Sequence, residues 1–158
     1  MNKYPGLVRS IIITTAISGM LDLVGAVMSY MMIRRTFPVK ILEYIAGGVH
    51  GGEALDGSLL MNVQGGLFHF IITGSWTVFF YLLYPHINFL HRSVWLNALI
   101  YGIFIWAVMN LLILPLSAWK VPVSPINVKE AAKAAIILIL CVGLPIAWRT
   151  KTFYKPHT

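Results

Sequence analysis

One glycine-rich stretch, GGVHGGEALDGSLLMNVQGGLFH, concentrates side chains that could do chemistry and ends at His69. It also holds His50, Glu53 and Asp56, between long apolar runs. A His-x-x-Glu pair such as His50 and Glu53 can supply two ligands to a Zn or Fe site, and His69 is the obvious third ligand. The alternative is that His50 and Glu53 are solvated at the level of the lipid headgroups, while Asp56 or Ser58 caps the following helix. The sequence leaves both interpretations open.

A second residue that could do chemistry is Asp22, near the middle of the first apolar run. A lone carboxylate at that depth in a membrane costs several kcal/mol, so it must be protonated, paired or facing a wet cavity. One interpretation is a proton or cation relay, and the other is a hydrogen-bonded residue that fixes helix register. His69 is its natural partner, because both lie on polar helix faces at similar depths and a carboxylate beside an imidazole favours the charged form of each. The alternative for His69 is one ordinary hydrogen bond, to a Thr, an Asn or a backbone carbonyl.

Four apolar runs must position these residues. Of the 158 residues, 58% are hydrophobic and only 11% are charged, whereas a soluble domain has about 25% charged residues. The runs cover residues 10–33, 58–84, 93–114 and 128–149, and each is long enough to cross a membrane at about 1.5 Å per residue. We therefore predict an all-α membrane protein with four transmembrane helices in a single integral-membrane domain, 1–158, and both termini on one side.

A Gly-rich segment, residues 38–56, separates the first two runs. Four apolar side chains line one face of a short helix and leave Glu43 off it, the pattern of a helix in the membrane interface. These four are Ile41, Leu42, Ile45 and Val49. Two overlapping Gly-x-x-x-Gly spacings follow, which allow either close backbone approach or a re-entrant loop. The segment is predicted to be interfacial or re-entrant and to pack against the bundle, and replacing Gly51 or Gly52 with leucine should disturb assembly if backbones approach there.

A resemblance covers residues 66–117. The sequences GLFHFIITGSWTVFFYLLYP and YGIFIWAVMNLLILPLS form a His-led aromatic helix that ends near a proline, followed by a helix that ends in a Pro-Leu step. This pair resembles the corresponding helices of the YagU-like bacterial inner-membrane proteins. The resemblance implies a multi-pass protein of the bacterial inner, or cytoplasmic, membrane, in a family associated with acid tolerance. The N-terminal half and the shorter loops differ from that family, so a location is implied more than an activity.

The charge of the chain indicates a lipid partner. The formal net charge is +7, from 12 Lys and Arg against 5 Asp and Glu, and the basic residues punctuate the apolar runs instead of forming a patch. We expect the bilayer, its anionic headgroups or a membrane protein partner, and not nucleic acid. Basic residues divide equally between the two predicted sides, so only the acidic residues favour termini inside. The single cysteine, Cys141, excludes a disulfide framework and a thiolate metal cluster.

The motifs of conventional enzymes do not occur in the sequence. There is no phosphate-binding glycine loop with its lysine, no Gly-x-Ser-x-Gly elbow and no His-Glu-x-x-His, so we predict neither an enzyme nor a cofactor. The favoured interpretation is a structural or accessory role, in which Asp22, His69 and Asn110 specify packing and Asn110 forms an interhelical hydrogen bond. The alternative is a proton-linked small transporter or channel with Asp22 and His69 on a polar path. A cavity that reaches Asp22 would favour the second interpretation.

Overall fold

The computed structural model describes residues 5–34, 40–120 and 127–155. Its helices are α1 (Leu7–Arg34), α2 (Ile41–His50), α3 (Leu59–Leu83), α4 (Val94–Leu116) and α5 (Val128–Phe153). Within these residues there is no strand, and short 3₁₀ turns follow α2 and α3. Four of the helices are long and apolar enough to span a membrane. The predicted all-α fold is confirmed, and the chain is a multi-pass membrane protein; the start of the predicted segment 38–56 lies outside the described residues.

Side-chain caps set the starts of α3 and α5. The Ser58 hydroxyl accepts a hydrogen bond from the Met61 backbone N–H at 3.2 Å, and the Asn127 side chain accepts one from Lys129 at 3.1 Å. Asp56 in turn accepts the Ser58 N–H at 2.8 Å, which holds the pKa of Asp56 below its usual value. Of the two expected caps, Asp56 or Ser58, it is Ser58 that caps α3.

Both α4 and α5 contain a π-helical turn, at Met109–Ile113 and Ile139–Gly143. Each turn is followed by a proline, Pro115 or Pro145. A proline lacks the N–H that a helix interior needs, and a widened turn relieves the clash between its ring and the preceding carbonyls. Both helices therefore continue past their prolines, beyond the predicted ends at residues 114 and 149.

Small residues set the distances between the spanning helices. Packing follows the order α3, α1, α5, α4, so that α1 lies between α3 and α5. A methyl group added to Gly19 of α1 would lie 2.7 Å from the Phe70 ring of α3. One added to Gly102 of α4 would lie 2.6 Å from the Ile139 backbone of α5. Such contacts take the place of a hydrophobic driving force between helices in lipid.

One end of the bundle, the terminal end, holds the described termini and the α3–α4 connection, and buried polar and aromatic side chains close it. The Tyr81 hydroxyl is hydrogen-bonded to the Ser10 hydroxyl at 2.8 Å and to the Thr14 hydroxyl at 2.9 Å. Tyr154 donates its hydroxyl to the Tyr81 carbonyl at 3.1 Å. All three partners on α1 and α3 are buried, so this end is tightly packed.

The opposite end, the loop end, is covered by α2. Its most buried face holds Glu43, which is 1% exposed, together with Ala46 and Gly47. The side chains of the predicted apolar face are half-buried or, at Val49, exposed, so this is not the face by which the helix packs most closely. The helix packs by its small residues because they permit the closest approach to α3.

The glycines that make close contacts also differ from the prediction. Gly51 ends α2 with a φ of +65°, and a methyl group on Gly52 would meet nothing within 4 Å. Instead, Gly65 of α3 lies against the backbone of α2, and Gly47 lies against the indole of Trp119. Of the two alternatives for the glycine spacings, the structure has a break: the chain leaves the helix at Gly51, so Gly51 and Gly52 do not continue the packed face.

The α3–α4 connection and both termini are expected on the same side of the membrane. The Lys151 ammonium of α5 donates a hydrogen bond to the Arg92 carbonyl at 3.2 Å, so the C-terminus and this connection share one end. In a Cys141→Ala background, single cysteines at Asn88 and Lys155 should react with a membrane-impermeant maleimide from the same side.

A cysteine at Lys120, at the loop end, is the matched control and should react from the other side only. Comparing intact cells with inverted vesicles also tests the orientation, because termini that face the cytoplasm are labelled only in the vesicles. Labelling of Asn88 and Lys155 from opposite sides would refute the four-span topology.

Candidate binding site at the centre of the bundle

Asp22 lines two cavities in the middle of the bundle. The first, called the cleft, has a volume of about 430 Å³ and lies between α3 and α4. The second, called the polar cavity, has a volume of about 370 Å³ and lies between α1, α4 and α5. Leu138 of α5 also lines both. Asp22 therefore lies in the wall between an apolar space and a more polar one.

The cleft exists because α3 and α4 are held together near the terminal end only. There the rings of Phe80 and Tyr101 lie 4.7 Å apart, and the Tyr101 hydroxyl donates to the Trp76 carbonyl at 2.6 Å. Nearer the loop end, side chains of both helices line the cleft: Phe68, Ile72, Met109 and Ile113. Bulky rings at one end thus keep open a space that ordinary helix packing would close.

The loop end of the cleft is closed by α2 and the segment after α4. The Trp119 indole N–H donates to the Tyr44 carbonyl at 2.9 Å, and the two rings stack with centroids 5.0 Å apart. The Ala118 backbone N–H donates to the Gly48 carbonyl at 2.9 Å. These contacts fix two aromatic rings at the end of the cleft.

His69 is buried on α3 and also lines the cleft. Its Nε2 lies 2.9 Å from the Gly19 carbonyl oxygen of α1, and Nε2 must donate because a carbonyl can only accept. Asp22 lies close enough to His69 for their charges to interact, but within the described ranges no hydrogen bond joins the two side chains. The ordinary hydrogen bond to a backbone carbonyl is therefore what His69 makes, and its coupling to Asp22 stays a prediction.

The suggested metal ligands, His50, Glu53 and His69, are not brought together. The His50 ring packs over Phe68 with centroids 6.2 Å apart, and Glu53 is exposed in the following 3₁₀ turn. In the part of the chain that the structure describes, no group of three His, Cys, Asp or Glu side chains could hold a metal ion. The helix ends at Gly51, so His50 and Glu53 do not share a continuous helical face.

Asn110 does not form the predicted interhelical hydrogen bond. Its amide donates to the Trp106 carbonyl of the same helix at 2.8 Å. The π-helical turn that starts at Met109 disturbs the regular backbone ladder, which makes a local carbonyl available to the side chain. The prediction was wrong because an asparagine in a span can satisfy its amide without a neighbouring helix.

The polar cavity connects Asp22 to the surface at the loop end. Ser29 and Asn110 line its middle, and Glu130 and Lys133 line its outer part. The last two form an exposed ion pair, with Nζ and Oε1 3.0 Å apart. The polar cavity therefore brings an exposed ion pair of the loop end and the Asp22 carboxylate to the lining of one space.

Sequence reasoning missed Glu43, which is buried between α2 and α3. Its Oε1 accepts a hydrogen bond from the Asn62 amide at 3.3 Å, and its Oε2 is buried without a hydrogen-bond partner among the described residues. The signal lay in the neighbouring small residues: Ala46 and Gly47 share the helix face of Glu43. A face of small residues is more often packed against a helix than exposed.

Searches against known protein families, curated proteins and solved structures find no match to this chain. Its class is therefore defined by its own fold and site. It is a multi-pass, all-α membrane protein with an intramembrane cleft beside a carboxylate. The resemblance to YagU-like proteins stays a prediction.

Proposed function

We propose that the protein is a small proton-linked transporter of the bacterial inner membrane that binds a small molecule in the cleft. The observation that supports this most is that Asp22 lines both the apolar cleft and the polar cavity. The inner membrane enters the proposal from the YagU-like resemblance alone. The proposed role is not enzymatic, and anionic lipid headgroups are the proposed partners of the basic side chains at both ends of the bundle.

The cavity volumes favour transport over the structural or accessory role. A residue that only fixes helix register is expected in a close-packed interior, as Thr14 and Tyr81 are. Asp22 instead borders a space of about 430 Å³, within the range of roughly 300–1,000 Å³ that is typical of small-molecule sites. Open space of this kind costs packing energy, so a purely structural bundle would be expected to fill it.

The arrangement allows a proton and a ligand to compete for one carboxylate. A proton that enters between Glu130 and Lys133 reaches Asp22 through the polar cavity, without crossing the cleft. Protonation removes the negative charge of Asp22 and so weakens the binding of any ligand that this charge holds.

Proteoliposomes test this proposal. Purified protein is reconstituted with a pH-sensitive dye inside, and lipophilic cations, anions and neutral compounds are added outside. Addition of at least one of these classes of compound should drive proton movement through the natural protein, and Asp22→Asn should abolish that movement. Ser75→Ala is the matched control, because the Ser75 hydroxyl is exposed and bonds only to the Ile71 carbonyl of its own helix.

If folded protein moves no protons with any class of compound, the transporter proposal is wrong. If Asp22→Asn and His69→Gln both leave proton movement unchanged, these two residues are left with a structural role in packing and do not carry the proton.

A further inference from the structure

We propose that the cleft takes a lipophilic organic cation. This inference rests on the proposed function and names the substrate class of the same site. The cleft places one carboxylate, that of Asp22, among aromatic rings and aliphatic side chains. The aromatic residues other than His69 are Tyr44, Phe68, Trp76 and Trp119.

The polar groups of the cleft offer lone pairs. The Thr73 hydroxyl donates to the His69 carbonyl at 2.9 Å, and the Ser117 hydroxyl donates to the Leu114 carbonyl at 2.7 Å. His69 spends its Nε2 proton on Gly19. The Ser117 oxygen also accepts the Trp119 backbone N–H at 3.3 Å, so the Thr73 oxygen and the carboxylate of Asp22 are the groups that favour a positively charged or proton-donating ligand.

The aromatic rings are held in place before any ligand binds. At the loop end, Trp119 is stacked on Tyr44 and hydrogen-bonded to its carbonyl. Toward the terminal end, Trp76 packs edge-on against Phe104, with centroids 5.8 Å apart. Preformed ring faces attract organic cations through their quadrupoles, and a desolvated site strengthens this attraction.

The charge of Asp22 also discriminates against other ligands of similar shape. An anion would meet the carboxylate in a medium of low dielectric constant, where repulsion is strong. A neutral apolar molecule could fill the volume but would leave the carboxylate uncompensated. Aliphatic side chains such as Ile72, Ile105 and Val142 fit the apolar body of a lipophilic cation.

Acid should weaken binding of the cation. The groups that face Asp22 are His69 on α3 and Cys141 on α5, and farther along the polar cavity Tyr30, Glu130 and Lys133. With the cation bound, Asp22 is ionised. Lowering the pH protonates this carboxylate, and the loss of its negative charge weakens its attraction for the positive ligand.

The inference is tested by comparing the binding of two ions that have the same shape and opposite charge. Tetraphenylphosphonium and tetraphenylborate are each dialysed to equilibrium against the purified full-length protein in detergent. We expect saturable phosphonium binding at least about tenfold tighter than borate binding, weakening as the pH falls. Asp22→Asn should reduce phosphonium affinity at least about tenfold, Asp22→Glu should restore part of it, and Ser75→Ala should leave it unchanged.

A second pair of variants tests the rings. Phe68 lines the cleft, so Phe68→Leu keeps an apolar side chain there but removes a ring face. It should weaken phosphonium binding by about three- to tenfold, as expected for the loss of one cation–π contact. Phe89→Leu, at an exposed ring in the α3–α4 connection and outside the cleft lining, should not weaken it.

The outcomes separate this inference from the proposed function. Three results would each overturn the inference that the cleft takes a cation. These are borate binding as tight as phosphonium binding, phosphonium binding that survives Asp22→Asn, and no phosphonium binding to folded protein. If an anion or neutral compound still drives Asp22-dependent proton movement in proteoliposomes, the proposed transporter stands with another substrate class. If phosphonium binds in an Asp22-dependent way but no compound drives proton movement, the cation site stands and the transporter proposal fails.

Discussion

Replacing Gly65 with alanine is expected to lower the free energy of unfolding by about 1–3 kcal/mol, the usual cost of overpacking a tight contact. The added methyl group would overlap the Leu42 backbone carbonyl, and Gly65 is buried where α3 crosses α2. Backbone atoms cannot turn aside as a side chain can, so α2 must shift. Thermal unfolding in detergent, followed by circular dichroism, measures the loss.

The adjacent glycine is a matched control for this substitution. A methyl group on Gly66 would meet nothing within 4 Å, so Gly66→Ala should leave the melting temperature unchanged or raise it slightly, because alanine favours a helix over glycine. A shifted α2 should also expose Trp119 to aqueous quenchers in Gly65→Ala. Equal melting temperatures for the two variants would contradict the close α2–α3 contact.

Asp22 and His69 are expected to be coupled in stability. Asp22→Asn and His69→Gln should each lower the free energy of unfolding by about 1–3 kcal/mol, and the double variant should lose about 1 kcal/mol less than their sum. The reason is that both side chains line the cleft and their charges interact. Each single change leaves the other group without its compensating partner, and the double change does not.

The control for this double-mutant cycle combines Asp22→Asn with Thr77→Val. Thr77 is buried on the same helix as His69 but lies about 12 Å farther along it, at about 1.5 Å per residue. Its hydroxyl donates to the Thr73 carbonyl. The stability lost in Thr77→Val should therefore simply add to the stability lost in Asp22→Asn, with no coupling between the two. Strictly additive losses for Asp22 and His69 as well would refute their coupling.

The membrane-spanning helices and their caps could be predicted from the sequence because both depend on local chemistry. Twenty or more apolar residues in a row can satisfy their backbone in lipid as a helix. Ser58 caps α3 with a bond to a residue three positions away. Asp22 and His69 were found for a similar reason, since ionisable residues are rare and costly inside apolar runs.

Glu43 and Asn110 were misjudged because their partners depend on how helices cross. Glu43 was placed off the apolar face by helical periodicity, yet the face it shares with small residues is the buried one. Asn110 was expected to bond to a neighbouring helix, but its amide donates to the Trp106 carbonyl one turn earlier in its own helix. Periodicity gives the faces of a helix without saying which of them meets another helix.

The sequence by itself determined that this chain crosses a membrane and that Asp22 and His69 lie within its spans, because apolar length and charge are properties of the residues alone. Only the tertiary structure decided that Gly65 and not Gly52 touches another backbone, and that a cleft opens beside Asp22. Both depend on contacts between segments far apart in the chain. The aromatic rings that hold α3 and α4 together at one end also keep the cleft open, and that spacing cannot be read from either helix alone.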